Sequence, residues 1–349
     1  MYAKASHAPK SSGNPSNSQQ TTRKVVEFED NRLAAIVYGQ HDKNLARIEQ
    51  RLGVVLINRG NRVAIEGSVD RADVARKVLN DLYRMAQSGQ AVDVGEVDGA
   101  VRMMEGVEPV QKSGDTLPAK PVPGGNNGND RLKITTRNRV VMPRSPGQAD
   151  YISNLLKSEM VFGVGPAGTG KTYLAVAMAV ARMLAGEIDR IVLSRPAVEA
   201  GENLGFLPGD LRDKVDPYLR PLYDALYDMM PAEQVEKRIA SGQIEIAPLA
   251  YMRGRTLANS FVILDEAQNT TPMQMKMFLT RFGENSRMAI CGDITQVDLP
   301  RGTRSGLRNA LDILRGVEGI AVTRFTQRDV VRHPLVGRIV EAYGDEDGR

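Results

Sequence analysis

The sequence contains the octapeptide Gly165-Pro166-Ala167-Gly168-Thr169-Gly170-Lys171-Thr172 between an apolar run, Val161-Phe162-Gly163-Val164, and a helical pattern at residues 173–178. This order predicts a strand, a glycine-rich loop and a helix. The glycines let consecutive backbone N–H groups face the α- and β-phosphates of a nucleotide, at a helix N-terminus whose dipole favours an anion. Lys171 can reach the β- and γ-phosphates, and Thr172 can ligate Mg²⁺. We therefore expect all eight residues to contact a nucleoside triphosphate, with ATP and Mg²⁺ as cofactors.

The chain around this loop alternates short apolar runs with helical patterns from residue 131 to residue 349. Such alternation is typical of an α/β fold with a doubly wound parallel sheet. Apolar runs at residues 191–193, 261–264 and 288–291 are the further predicted strands. Ligands of these sheets bind at the carboxyl ends of the strands. We therefore predict a P-loop NTPase domain of the RecA-like type over residues 131–349.

Two adjacent carboxylates, Asp265 and Glu266, directly follow the apolar run at 261–264. Asp265 can hold Mg²⁺ on the side opposite Thr172, and Glu266 can orient or deprotonate an attacking water. Because this acid pair follows a buried strand and accompanies a phosphate loop, it favours hydrolysis over nucleotide binding alone.

A second polar group follows the apolar run at 288–291, in the string Gly292-Asp293-Ile294-Thr295-Gln296. Asp293 and Gln296 are expected beside the γ-phosphate, where they can report its presence and its loss. The alternative interpretation is a turn with capping side chains.

These three strings in this order resemble the nucleotide-binding core of superfamily 1 helicases, and the segment 143–151 resembles the adenine-reading segment of that superfamily. The resemblance implies that the Gln148 amide, which can donate and accept, contacts the adenine edge. Arg144 or Tyr151 would then stack on the ring. The alternative for Gln148 is an ordinary solvated side chain.

The composition is that of an ordinary globular protein, with 349 residues, 42% hydrophobic and 25% charged residues. The net charge of +4 permits nucleic-acid or ribosomal partners. A single cysteine, Cys291, excludes an internal disulfide and a cysteine-rich metal cluster. No apolar run is long enough to span a bilayer, so we expect a cytoplasmic protein without a membrane partner.

The part before residue 131 divides into three segments. Residues 1–23 are predicted to be a disordered tail and residues 105–130 a flexible linker, because both are rich in small polar residues, glycine or proline. Residues 24–104 show the order βααββα of a small α+β domain, with Asp42 predicted to cap the second helix and Gly53 to end it. This order resembles a KH-type RNA-binding domain.

The loop between the first two helices of a KH domain usually reads GxxG and clamps a nucleic-acid backbone. Here it reads Gly39-Gln40-His41-Asp42, so a carboxylate replaces the second glycine. RNA binding and a docking role both stay open for this domain. The residues that can contact RNA phosphates are Lys43, Arg47, Arg51, Arg59 and Arg62.

Two further strings complete a family resemblance, the segment from Arg195-Pro196 to Gly209 and the closing segment 329–336. With the motifs above, residues 130–345 closely resemble the PhoH-like family of bacterial ATPases, and the N-terminal domain resembles that of its YbeZ-type members. The resemblance implies an ATP-binding cytosolic protein of RNA metabolism. It also implies functional ties to a YbeY-like ribonuclease and to ribosome maturation.

Superfamily 1 helicases enclose ATP between two RecA-like domains, yet too few residues follow Asp293 to form a second one. We therefore expect a homo-oligomer, a ring, in which a neighbouring subunit closes the site and supplies an arginine. The candidates are Arg332, Arg328 and Arg281, each of which can instead be structural. Three functions stay open: an RNA-linked ATPase, a nucleotide-dependent adaptor for a nuclease or ribosomal partner, and a small-molecule P-loop kinase.

Overall fold

The computed structural model describes residues 21–105, 132–196, 211–331 and 336, and for residues 211–218 it describes the backbone alone. The chain divides into two compact units, Met1–Glu105 and Gly106–Arg349. The predicted tail and linker lie outside the described residues except at their edges. Residues 21–23, assigned to the tail from composition, instead begin the first strand, because their backbone pairs with a neighbouring strand up to Ser68.

The N-terminal unit has the predicted order βααββα followed by one more helix. Its antiparallel sheet has the strand order β1-β3-β2. The elements are β1 (Thr21–Glu27), α1 (Asn31–Tyr38), α2 (Lys43–Leu52), β2 (Val55–Arg59), β3 (Arg62–Ser68), α3 (Val69–Gln87) and α4 (Val94–Glu105).

The helix α4 is missing from the sequence prediction. It packs against α2 and α3 through the buried residues Val97 and Val101. Its buried residues Val97, Ala100 and Val101 recur at helical spacing, a signal that the sequence interpretation missed.

The two predicted signals at the ends of α2 have different outcomes. Gly53 ends the helix in the left-handed conformation, as expected. Asp42 makes no side-chain capping bond, so that prediction is wrong. Its own backbone is left-handed, with φ 56°, and its carboxylate accepts a hydrogen bond from Asn58 Nδ2 at 3.0 Å.

The C-terminal unit is built on a six-stranded parallel sheet with the order β11-β6-β10-β9-β7-β8. A two-stranded hairpin, β4 (Ile134–Thr135) and β5 (Val140–Val141), precedes it. The sheet strands are β6 (Met160–Val164), β7 (Arg190–Arg195), β8 (Ile244–Pro248), β9 (Ser260–Leu264), β10 (Arg287–Gly292) and β11 (Ile320–Arg324). The helices are α5 (Pro146–Lys157), α6 (Lys171–Leu184), α7 (Leu211–Met229), α8 (Ala232–Ala240), α9 (Pro272–Leu279) and α10 (Gly306–Ile313).

Helices cover this sheet on both faces, which confirms the doubly wound α/β prediction. One apolar core joins the sheet to α5, α6, α7 and α8, and a second joins it to α9 and α10. Every residue of β6 and β9 is buried, as expected for strands between two helical layers. The carboxyl ends of β6, β9 and β10 therefore meet at one edge of the sheet. Within the described ranges, no helix is long and apolar enough to cross a bilayer.

Candidate nucleotide-binding site

The phosphate loop joins β6 to α6. Gly165, with φ 151°, passes so close to the following segment that a Cβ would lie 2.6 Å from the Phe325 carbonyl oxygen. Gly170, with φ 82°, turns the chain into α6 in a left-handed conformation. These two positions therefore need glycine to hold the loop open around its N–H groups.

Lys171 is the first residue of α6, and its ammonium group folds back over the loop. Nζ donates to the carbonyl oxygens of Gly165 at 2.7 Å and Pro166 at 2.8 Å. Burial lowers the pKa of Lys171, and the nearby acidic groups only partly oppose this effect. The half-buried ammonium group therefore lies at the loop, as predicted for a residue that contacts phosphates.

Thr172 and Asp265 come together from different parts of the chain. The Thr172 hydroxyl donates to Asp265 Oδ1 at 2.6 Å, which joins the start of α6 to the end of β9. Asp265 is 7% exposed. Burial raises the pKa of this carboxyl group, and the bond from Thr172 opposes the rise. A hydroxyl and a buried carboxylate in contact are the oxygen ligands that Mg²⁺ uses beside substrate phosphates.

Glu266 occupies an unusual backbone conformation for a non-glycine residue, with φ 49° and ψ 39°. Left-handed residues of this kind cost free energy and concentrate at functional sites. Its Oε2 accepts a hydrogen bond from Gln268 Nε2 at 2.6 Å. Gln268 Oε1 in turn accepts from the backbone N–H of Asp293 at 3.0 Å. Gln268 therefore links the acid pair to the end of β10, a role that the sequence interpretation missed.

Asp293 and Gln296 both line the same cleft as the acid pair. Asp293 Oδ1 accepts from the Thr295 backbone N–H at 2.9 Å and from the Thr295 hydroxyl at 2.7 Å. The Gln296 backbone N–H donates to the Asp293 carbonyl oxygen at 3.1 Å. The carboxylate thus caps its own turn, as the alternative interpretation expects, while a contact to the γ-phosphate stays a prediction.

The cleft has a volume of about 670 Å³ and extends from the acid pair past the phosphate loop to α7. Tyr173 lines this far end, and its hydroxyl donates to Asp228 Oδ2 at 3.0 Å. Arg139 contacts both groups, at 3.3 Å from the Tyr173 hydroxyl and 2.7 Å from Asp228 Oδ1. Burial and the contact with Asp228 raise the pKa of Tyr173, so its hydroxyl stays a proton donor at neutral pH. The sequence interpretation missed this network.

The predicted adenine-reading residues lie in or just before α5. Tyr151 is fully buried, with its hydroxyl 3.3 Å from Cys291 Sγ and its ring edge-on to Phe325. It cannot stack on a base, so that prediction is wrong. Gln148 is 5% exposed and joins α5 to the phosphate loop, since Nε2 donates to the Thr169 carbonyl oxygen at 3.0 Å and Oε1 accepts from the Arg144 N–H at 2.7 Å. The adenine contacts of Gln148 and Arg144 stay predictions.

The three arginines predicted as candidates to close a neighbouring subunit's site differ in their placement. Arg332 lies outside the described residues. Arg328 is exposed in the turn Gln327–Asp329. Arg281 donates to the carbonyl oxygens of Met277 at 3.0 Å and Arg255 at 2.9 Å, the bonds expected of a structural brace.

The candidate RNA-binding residues of the N-terminal unit are largely engaged in ion pairs. Arg47 forms a bidentate pair with Asp98, with both N–O distances at 2.8 Å. Arg51 lies 3.9 Å from Asp98 and 3.7 Å from Glu105. Arg62 pairs with Glu27 at 2.9 Å. The unpredicted helix α4 supplies Asp98 and Glu105, so the basic face of α2 is partly neutralised.

Known proteins match this chain over most of its length. The sequence model of the family described as "PhoH-like protein" matches residues 140–344. A PhoH-like protein of Bacillus subtilis (strain 168) is 45% identical over 319 residues, which cover 90% of this chain and 95% of that protein. A PhoH-like protein of Mycobacterium tuberculosis (strain H37Rv) is 48% identical over 312 residues, which cover 89% and 85%. Protein PhoH of Escherichia coli (strain K12) is 46% identical over 205 residues, 58% of each chain. With a P-loop NTPase fold and these matches, the chain belongs to the PhoH-like protein family.

Proposed function

We propose that the protein binds ATP with Mg²⁺ and hydrolyses it to ADP and phosphate. The observation that carries this proposal is the arrangement of Lys171, the Thr172–Asp265 pair and Glu266 around one cleft at the edge of a parallel sheet. A nucleotide carrier without hydrolysis has no need for the second carboxylate.

The residues present fit a magnesium ion. Thr172 and Asp265 would hold it, and the ion would supply charge neutralisation at the phosphates. The buried Asp265 carboxylate, whose pKa burial raises, gains an opposite charge when a cation binds. Lys171 would exchange its bonds to the loop carbonyls for bonds to the β- and γ-phosphates.

Glu266 is the proposed general base. It would take a proton from water as the water oxygen attacks the γ-phosphorus and the bond to the β-phosphate oxygen breaks. Its hydrogen bond from Gln268 and its left-handed backbone fix the direction of the carboxylate. Gln268 also contacts the Asp293 backbone, so a change at the γ-phosphate can pass to the turn at 293–296.

We further propose that hydrolysis serves RNA metabolism or ribosome maturation. The KH-like order of the N-terminal unit and the net charge of +4 support direct RNA contact. The ion pairs on α2 and the carboxylate of Asp42 support the second candidate, a nucleotide-dependent adaptor that docks on a YbeY-like ribonuclease or a ribosomal partner. In the adaptor, hydrolysis resets the complex.

The decisive experiment is steady-state phosphate release with ATP and GTP, with and without single-stranded RNA and ribosomal RNA. An RNA-linked ATPase is expected to release phosphate from ATP faster with RNA, and Lys171→Ala is expected to abolish the release. Stimulation by the ribonuclease or ribosome but not by bare RNA would favour the adaptor. Lack of any nucleotide turnover by the wild-type protein would refute both.

The proposal includes a homo-oligomer, a ring in which a neighbouring copy covers the open side of the cleft and can supply Arg332 or Arg328. Light scattering in the presence of ATP tests it. Full turnover by a strictly monomeric protein would contradict it.

A further inference from the structure

Arg195 lies at the acid pair, although from the sequence it is named only as the start of a family string and is assigned no role. It is the last residue of β7, which pairs in parallel with β9 so that Ser194 lies opposite Leu264. The Asp265 N–H donates to the Ser194 carbonyl oxygen at 2.9 Å, which keeps the two strand ends together. Arg195 follows Ser194 and Asp265 follows Leu264. The two residues are therefore neighbours at the ends of adjacent strands.

The guanidinium group contacts both carboxylates. Nη1 lies 3.8 Å from Asp265 Oδ2, and Nη2 lies 3.4 Å from Glu266 Oε1. The side chain is 21% exposed and lines the cleft. Arg195 thus neutralises part of the negative charge of the acid pair.

The contact distances differ from those of the structural arginine pairs in the same chain. The Arg47–Asp98 pair has two N–O distances of 2.8 Å, and the Arg255–Glu245 pair has distances of 2.5 and 2.7 Å. Bidentate pairs of that kind are short and geometrically fixed. Arg195 is instead shared between two carboxylates, at longer distances than those of either bidentate pair.

The cations of the cleft also flank the place where the γ-phosphate is expected. Among the described residues that line the cleft, the cationic side chains are Lys171, at the loop, and Arg195, at the acid pair. A phosphoryl group between these two positions would meet one cation on each side. Guanidinium groups bind phosphate oxygens with the same planar fork that they use for carboxylates.

We propose that Arg195 is an arginine supplied in cis to the γ-phosphoryl group: it pairs with Asp265 and Glu266 in this structure and contacts the γ-phosphate oxygens when ATP is bound. The inference rests on the proposed function. Binding of a cation at Asp265 removes one reason for Arg195 to stay at the acid pair, and the incoming phosphate offers a stronger partner. The guanidinium group then neutralises charge that develops on the γ-phosphoryl oxygens.

The test compares Arg195→Ala and Arg195→Lys in the full-length protein, with Arg190→Ala as the matched control. Arg190 begins the same strand at the opposite edge of the sheet. Equilibrium dissociation constants are measured by titration calorimetry for ATP and for ADP, each with Mg²⁺, together with steady-state phosphate release. Arg195→Ala is expected to lower ATP affinity roughly 10-fold, leave ADP affinity unchanged and lower kcat about 100-fold or more. Arg195→Lys is expected to retain part of the ATP preference, and Arg190→Ala all of it.

Mixing of variants then separates a cis arginine from one supplied by a neighbour. Arg195→Ala and Lys171→Ala proteins are combined after verified subunit exchange. A cis arginine predicts no recovery of phosphate release, since each subunit carries one defect in its own site. Recovery in the mixture, or an Arg195→Ala protein that keeps its ATP-over-ADP preference and its kcat, would overturn the inference.

The wild-type measurements separate this inference from the proposed function. Wild-type protein that neither binds nor hydrolyses ATP would remove both. Wild-type turnover with an unchanged Arg195→Ala variant would remove the inference alone. Thermal melting of each variant shows whether it is folded, and Arg195→Lys provides the same readouts if the alanine variant is not.

Discussion

The loop at 39–42 and the loop at 165–172 both begin with glycine and lead into a helix that opens with a lysine, but the residue before the helix is Asp42 in the first and Gly170 in the second. In the N-terminal unit, Asp42 stands before α2 with a left-handed backbone and a carboxylate bonded to Asn58. In the C-terminal unit, Lys171 opens α6 and its ammonium group lies over the loop carbonyls.

The basic side chains near the two loops also have different partners. The arginines of α2 are paired with carboxylates of α4, whereas the Lys171 Nζ donates to the backbone carbonyl oxygens of Gly165 and Pro166. An acidic residue at a helix N-terminus satisfies the helix dipole and repels phosphate. Both helices open with a lysine, so the residue before the helix, Asp42 or Gly170, is what makes the two helix N-termini differ toward an anion.

The largest expected effect comes from the lysine that opens α6. Lys171→Ala removes the cation of the phosphate loop and is expected to weaken ATP binding roughly 100-fold, about 2.8 kcal/mol. Lys43→Ala is the matched control, because Lys43 opens α2 in the same way, and it is expected to change ATP affinity less than about twofold. Titration calorimetry measures both. Equal losses of ATP affinity in the two variants would contradict the proposal that only the loop at 165–172 binds ATP.

The second effect separates binding from hydrolysis at the acid pair. Glu266→Gln keeps the size of the side chain and one acceptor oxygen, but it replaces the other oxygen with an NH2 donor and cannot take a proton. We expect phosphate release to fall by about 10²-fold or more, the usual contribution of a general base, with ATP affinity within about threefold of wild type. Glu284→Gln, at an exposed carboxylate elsewhere in the unit, serves as the control. Unimpaired release by Glu266→Gln would assign the proton transfer to another group.

Sequence patterns identify the parts of this site that are contiguous in the chain. The phosphate loop and the acid pair each lie next to an apolar strand, so residue type and local order suffice to predict them. Arg195 and Gln268 act through the sheet order, in which β7 lies beside β9 and β10 beside β9. The order of the strands in the sheet depends on the long crossover connections between them. Local sequence patterns therefore do not predict which strands are neighbours.

The error at Tyr151 has a different cause. The resemblance predicts that Tyr151 stacks on adenine, but Ser145 caps a helix that begins at Pro146 and contains Tyr151. Helical spacing places Tyr151, Ile152 and Leu155 on one buried face. Gly163 in β6 leaves space for the tyrosine ring, since a Cβ there would lie 2.9 Å from it. The periodicity of α5 was present in the sequence and would have corrected the assignment.

A smaller effect tests whether the glycine of the N-terminal loop serves the fold. Gly39 has φ 73°, and a Cβ would lie 2.7 Å from Nδ2 of the fully buried Asn44, which donates to the carbonyl oxygens of Val37 and Val92. Gly39→Ala is expected to destabilise the N-terminal unit by about 1–3 kcal/mol, since it adds a clash to an unfavourable backbone conformation. ATP affinity is expected to stay unchanged. Urea unfolding of the full chain measures the first quantity.

Gly60→Ala is the control that separates the cost of the clash at Gly39 from the cost of the backbone conformation. Gly60 has φ 63°, but a Cβ there would meet no atom within 4 Å. Its alanine variant therefore carries the backbone cost alone and is expected to lose about 1 kcal/mol. A loss at Gly60→Ala as large as that at Gly39→Ala would show that packing against Asn44 contributes nothing.

The smallest effect is expected from a substitution that makes the loop at 39–42 more like the phosphate loop. Asp42→Gly removes a carboxylate from the start of α2 and relieves the left-handed backbone of a non-glycine residue. If the N-terminal unit contacts RNA, single-stranded RNA is expected to bind roughly threefold more tightly at low salt, because one repulsive charge is lost. Fluorescence anisotropy at two salt concentrations measures it, and Asp70→Gly at the start of α3 controls for net charge. An equal gain in both variants would reflect overall charge, whereas a gain at Asp42 alone would place RNA at this loop and favour the RNA-linked ATPase over the adaptor.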